Sequence, residues 1–196
     1  YATLIGDMRG YYALLADALK GEVYQLADYL NREIFKREVI PQDCIDIAPM
    51  DELTKEGAGE RKDPFDYGRV LPDGTYEMGY HDAMVRSIVE LQRGPRWFLE
   101  GYQGGTLEET MMLPKGRIKA LFPTVEDFVF DLEQKLALFG AAIHKRVQSV
   151  PAAHFSRSAF GWDFREYLPV VANDNREIEV YYPHAYKKLR KKVLAA

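Results

Sequence analysis

The sequence predicts a mainly α-helical fold with few short strands, and three observations carry that expectation. Apolar residues recur with a helical period around 19–34, 80–91 and 125–143. Apolar–polar alternation, the signature of a half-buried strand, is confined to short runs such as Ile178, Val180 and Tyr182. A segment rich in proline and glycine, 41–79, separates the first helical stretch from the others.

Taken in order, residues 1–5 (YATLI) read as a short buried strand, broken by Gly6, Asp7 and Gly10 as a turn. The first helix starts near Asp17, a good N-cap, and carries Leu19, Val23, Leu26, Leu30 and Ile34 on one face before Pro41. Residues 41–79 hold four prolines and five glycines and read as a long loop or lid. A second helix spans about 80–91, with Met84, Val85, Ile88 and Val89 inward, and Gly94–Pro95 stops it. Short helices follow around 96–101 and 107–112. The best-defined helix is capped by Thr124 with Asp127 as a capping-box partner, and its stripe is Val125, Phe128, Val129, Leu132, Leu136, Phe139 and Ile143. Pro183 opens a terminal helix.

The 196 residues suit a single domain or a piece of one, with 47% apolar and 29% charged residues, an ordinary globular composition. No run of eighteen apolar residues exists, so no membrane span is expected. The net charge of −4 counts against a nucleic-acid partner. The single cysteine, Cys44, builds no internal disulfide framework and fits a reducing, cytoplasmic location. The sequence opens on YATLIGD with no signal peptide, and we expect it to be part of a longer protein.

Three places offer chemistry. Asp7 sits in a Gly-Asp-x-x-Gly turn after a strand, where ligands gather in α/β folds, although a turn aspartate bonding its own backbone accounts for it as well. Lys20 falls in the first turn of the first helix, at the third position if Asp17 is the cap. A cation there opposes the helix dipole, at a cost of a few tenths of a kcal/mol, unless an anion joins it; a solvated lysine is the equal alternative. His144, Lys145 and Arg146 end the long helix, where dipole compensation suffices and a phosphate clamp is the other reading. Cys44, with no local nucleophile signature, reads as structural, and His81, His154 and His184 lack metal-ligand spacing. Lys187, Lys188, Arg190, Lys191 and Lys192 form a basic tail, read as a solvated face open to an acidic partner.

Several of these segments together resemble one family. YATLIGDMRGYYALLADALKGEVYQLADYLN is similar to the stretch of NAD⁺ synthetases reading roughly GYxTLYGDMxGxxAPIxDLxKTxVYxLAxYxN. AIHKRVQSVPAAHFSRSAFGWDFREYLPV resembles their C-terminal segment, (H/Y)KR(R/x)QxP followed by SxxAFGxDxRxP. The resemblance covers about 1–53 and 136–169.

It implies the helical C-terminal portion of an α/β adenine-nucleotide fold like that of the ATP pyrophosphatases. It also implies ATP-dependent amidation of deamido-NAD to NAD⁺ through an adenylated intermediate, with AMP and pyrophosphate released. ATP with Mg²⁺, ammonia or glutamine, and a homodimer or higher oligomer come with it. On the matching positions, Asp7, His144 and Lys145 would meet deamido-NAD and Lys20 an ATP phosphate. The family's SGGxDS pyrophosphate loop is not among these residues, so the chain is expected to be inactive alone. Met50 stands where the family motif has serine or threonine and cannot donate a hydrogen bond. The family's acidic stretch after that motif is also missing, so 54–79 is expected to differ, as a lid over nucleotide. The alternative is a non-catalytic helical interaction domain derived from the same family.

Overall fold

The computed structural model describes residues 14–15, 18–46, 66–91, 93–141 and 183–195, except for the side chains of 138–141 and 183–185. These residues are mostly helical. Helix α1 (Lys20–Tyr29) continues into a π-helical turn (Leu30–Ile34), followed by α2 (Gln42–Asp46). Strands β1 (Arg69–Val70) and β2 (Tyr76–Glu77) form an antiparallel hairpin, with Arg69 opposite Glu77 and Val70 opposite Tyr76. Then come α3 (Tyr80–Val89), α4 (Pro95–Gln103), α5 (Leu107–Thr110), α6 (Arg117–Leu121), α7 (Val125–Ala141) and α8 (Pro183–Leu194).

The expected cap of α7 forms. Thr124 Oγ1 accepts the Asp127 N–H at 3.2 Å, and its hydroxyl donates to Asp127 Oδ2 at 2.6 Å. Phe128, Val129, Leu132 and Leu136 recur at helical spacing and are buried. They meet Tyr80, Ala83, Met84 and Ile88 of α3, Phe98 and Leu99 of α4, and Tyr186 and Val193 of α8 in one core. Each large side chain so buried contributes roughly 1.5–3 kcal/mol. Tyr102 stacks on Phe128 at 4.6 Å, and Phe122 meets Tyr80 edge-on at 5.1 Å.

Polar groups entering this core bring partners with them. The Tyr80 hydroxyl donates to Asp131 at 2.7 Å, and Lys135 pairs with the same carboxylate at 3.0 Å. Asp131 is buried, so the ion pair meets the rule that a charge leaves water only when matched. Glu133 anchors α8 by accepting from the Tyr186 hydroxyl at 2.8 Å and from both arms of Arg190 at 2.7 and 3.3 Å.

Several expectations are corrected here. The N-cap of α1 is Leu19, not Asp17, and Lys20 is the first helical residue rather than the third. Leu19 of the expected α1 stripe is buried, but Leu26 is 42% and Ile34 55% exposed, because α1 packs on β1 and α2 rather than into the main core. Pro95 begins α4, since proline suits the first helical position, whereas α3 already ends at Val89. Helix α6 has no counterpart in the sequence reading, being five residues long. Inside 41–79, α2 and the hairpin are ordered elements. The strands expected at 1–5 and 178–182, the centre of the expected lid at 47–65, and Ile143 lie outside the described residues.

Candidate functional site

Of the candidate residues, Lys20 lies within the structure, whereas Asp7, His144, Lys145, Arg146 and Met50 fall outside the described residues. Lys20 is exposed at the first position of α1. Its ammonium stands 5.2 Å from the centroid of the Tyr24 ring, one turn further along, a cation–π contact that draws the side chain along the helix. Two residues of the sequence motif, Lys20 and Tyr24, are thereby placed side by side.

The backbone around Lys20 is fixed by two carboxylates. Leucine has no side-chain acceptor, so the cap residue offers the helix its carbonyl alone, which accepts the Val23 N–H at 3.0 Å. Glu22 Oε2 instead accepts the Leu19 N–H at 2.8 Å. Asp82, from the first turn of α3, accepts the Gly21 N–H at 2.8 Å. The same oxygen, Oδ2, takes the Gly68 N–H at 3.0 Å and the Tyr76 hydroxyl at 3.3 Å. Asp82 is 2% exposed, so a buried carboxylate joins the start of α1, the hairpin and α3. Negative charge here complements the positive end of the α1 dipole.

The close approach explains two glycines. A Cβ on Gly21 would lie 2.3 Å from the Tyr76 hydroxyl oxygen, 2.6 Å from Asp82 Oδ2 and 2.7 Å from the Gly68 Cα. A Cβ on Gly68 would lie 2.0 Å from the same hydroxyl. The resembled motif has threonine after its lysine, and the space this hairpin fills accounts for Gly21 there.

Burial first, and the Asp82 charge second, push the Tyr76 hydroxyl pKa upward from its ordinary value of about 10. The unfolded chain therefore loses this proton above about pH 10 while the folded chain keeps it. The unfolded state then binds fewer protons, so stability falls as pH rises through this range and is fully present below it. Tyr76→Phe should show a shallower loss of unfolding free energy between about pH 10 and 11 than the unmodified chain, measured by urea titration at each pH. Equal slopes would mean that Tyr76 does not hold its proton in the fold.

A third carboxylate, Asp66, serves the start of α3. Its Oδ2 accepts the Tyr80 N–H at 2.8 Å, and its backbone carbonyl accepts the His81 N–H at 2.8 Å. The Arg117 guanidinium grips Asp66 with two nitrogens, which raises the arginine pKa above its ordinary value. Farther off, Glu108 accepts the Gly116 and Ile118 N–H groups at 2.7 and 2.8 Å and serves the start of α6.

The remaining sequence candidates separate. Cys44 is an exposed residue of α2, not a buried structural one. The His81 ring lies 4.7 Å from that of Tyr67. His184 is in α8, and His154 is outside the described residues. In the basic tail, Lys187, Lys188, Lys191 and Lys192 are exposed, but Arg190 is bound to Glu133. Among the described residues, no group of three or more His, Cys, Asp or Glu side chains is placed to hold a metal ion. Among them, too, no helix is long and apolar enough to cross a membrane.

Sequence reading missed Asp82, Tyr76 and Gly68 as neighbours of Gly21, the residue after Lys20. Gly68 and Tyr76 look like loop residues, and Asp82 looks like an ordinary acid in a helical first turn. No protein-family model, curated protein or solved structure matches the chain.

Proposed function

We propose that the chain is the C-terminal part of an NAD⁺ synthetase, in which Lys20 meets an ATP phosphate while deamido-NAD is adenylated and then amidated by ammonia, free or drawn from glutamine. The observation that carries this reading is the exposed Lys20 at the head of α1, within a segment whose sequence follows the family pattern. Two further motif positions have a place in the same segment. Tyr24 lies along the lysine, and Asn31 is buried and bonded to the turn after the helix. The mostly helical chain agrees with the helical portion of an adenine-nucleotide fold.

In this reading the charge on the leaving pyrophosphate is answered on this face by the Lys20 ammonium, placed where negative charge develops. Asp82 and Glu22 hold the first turn of α1 so that Lys20 is presented outward. Asp7, His144 and Lys145 are assigned to deamido-NAD by the motif match. Mg²⁺ would neutralise phosphate charge as well, with its ligands outside the described residues. The resemblance to the family implies a homodimer or higher oligomer.

In the full-length enzyme, Lys20→Ala should lower NAD⁺ formation by about tenfold or more, or 1.4 kcal/mol in transition-state stabilisation. Near-normal turnover by the folded variant would end the phosphate role. The 196-residue chain, without SGGxDS, should form no NAD⁺ from ATP, deamido-NAD and ammonia.

A second reading, a non-catalytic helical interaction domain derived from the same family, draws on the two carboxylates at the start of α1. They supply the negative charge a phosphate would otherwise bring. Under that reading Lys20→Ala leaves the activity of the full-length protein unchanged.

A further inference from the structure

We propose that the turn ending the π-helical segment is a binding site for a small phosphate-bearing anion, held by Lys36 and Arg37. An open cleft of about 520 Å³ lies there, lined by Asp28, Asn31, Arg32, Lys36, Arg37 and Glu38. Its cations are not equivalent. Arg32 is paired with Asp28 at 2.9 Å, whereas neither Lys36 nor Arg37 has an ion-pair partner among the described residues.

The turn is built rigidly beneath them. Asn31 is 9% exposed, and its Oδ1 accepts the N–H groups of Val39 and Ile40, each at 2.9 Å. Its Nδ2 donates to the Ile40 carbonyl at 2.7 Å. The Arg37 N–H returns to the Asn31 carbonyl at 3.1 Å. One buried amide thus fixes both ends of the turn. The turn follows a π-helical segment, a geometry concentrated at functional positions.

Lys36 supplies the second line of argument. Its φ is +50°, the left-handed region in which a helix end favours glycine. Compensation of the helix dipole explains positive charge near this end, and Arg32 and Arg37 already provide it. It does not explain a lysine at the one position where glycine is free of strain. Strain retained at a position is accounted for when the side chain acts, and this side chain lines the cleft.

The chemistry of the cleft selects the ligand. The Arg37 fork matches two oxygens of one phosphate, and the Lys36 ammonium adds a point charge. Glu38 on the rim is engaged by the Gln42 N–H at 3.0 Å and sets a limit on affinity. The site lies past the π-helical turn that follows α1, sixteen positions from Lys20 at the start of that helix, so it stands apart from the function proposed above.

The test titrates inorganic pyrophosphate into the ¹⁵N-labelled chain at low salt and follows the backbone amides of 36–40. Saturable shifts are expected, with a dissociation constant of about 1 mM or tighter. Arg37→Ala and Lys36→Gly should each weaken binding by about fivefold or more, and Glu38→Gln should tighten it. Lys36→Gly should melt at the same temperature or higher, because it relieves a left-handed lysine, so lost binding cannot be confused with lost fold. Lys20→Ala should leave this titration unchanged. Shifts at 36–40 that fail to saturate overturn the proposal, as does pyrophosphate binding by Lys36→Gly equal to that of the unmodified chain. Shifts abolished by Lys20→Ala would place the anion at the other end of the helix and overturn it too.

Discussion

Asp82→Ala is expected to lower the free energy of unfolding by about 3 kcal/mol or more. The substitution strips the acceptor from the Gly21 N–H, the Gly68 N–H and the Tyr76 hydroxyl together. Each buried donor left without a partner costs about 1–3 kcal/mol. The two amides are held in a place where Asp82 is 2% exposed, which limits how far water can replace it. Against a typical domain stability of about 5–15 kcal/mol, the loss is large enough to read directly from the denaturation midpoint. Asp82→Asn keeps an acceptor oxygen and gives up the charge assistance, so it should cost less, about 1–2 kcal/mol. A loss below about 0.5 kcal/mol for the alanine variant would show that the three donors find other partners.

Gly79→Ala should cost about 2–4 kcal/mol for a steric reason. A Cβ at this position would lie 2.1 Å from the Tyr67 carbonyl carbon and 2.4 Å from both the Asp66 and Tyr67 carbonyl oxygens. These are backbone atoms, and no rotamer change relieves the overlap. Moving the 66–67 segment away would pull Asp66 from the first two N–H groups of α3 and from Arg117. Gly105→Ala is the control, since its Cβ would meet nothing within 4 Å and the cost comes from the positive φ of 67°. That cost should be about 1–2 kcal/mol. If the two alanine variants unfold at the same denaturant concentration, contact at 66–67 is not what requires Gly79.

The contrast between α7 and α1 shows which parts of this fold are legible in sequence. Thr124 and Asp127 lie three positions apart, so one window of sequence contains the entire cap and the stripe behind it. At the start of α1 Glu22 is local, but the acceptor of the Gly21 N–H comes from 61 positions away, and no local pattern contains that information. Asp17 is the right chemistry for a cap in a sequence read locally, but Asp82 supplies an acceptor to the Gly21 N–H and the helix starts after Leu19. Helix α6 escaped for the same reason: five residues carry too little periodicity, and Glu108 supplies its acceptors from outside. At the candidate site, Lys20 stands out as a first-turn lysine, but its place as the first helical residue does not follow from the sequence, which puts it third. The packing of Tyr76 and Gly68 against the adjacent Gly21 is not legible either, because a tyrosine and a glycine in a turn-rich segment have no periodicity to mark them.

These distant caps also set an order of events in time. A helix with its own cap nucleates from nearby residues, whereas one completed by a remote carboxylate must wait for a loop to close. During refolding, amide protection in α7 should therefore precede protection of the Gly21 amide, which depends on α3 having arrived. The start of α1 then becomes one of the last places to consolidate and, in reverse, one of the first to open. Lys20 sits on that turn, so the rate at which Asp82 engages sets how soon after synthesis the lysine is held in place.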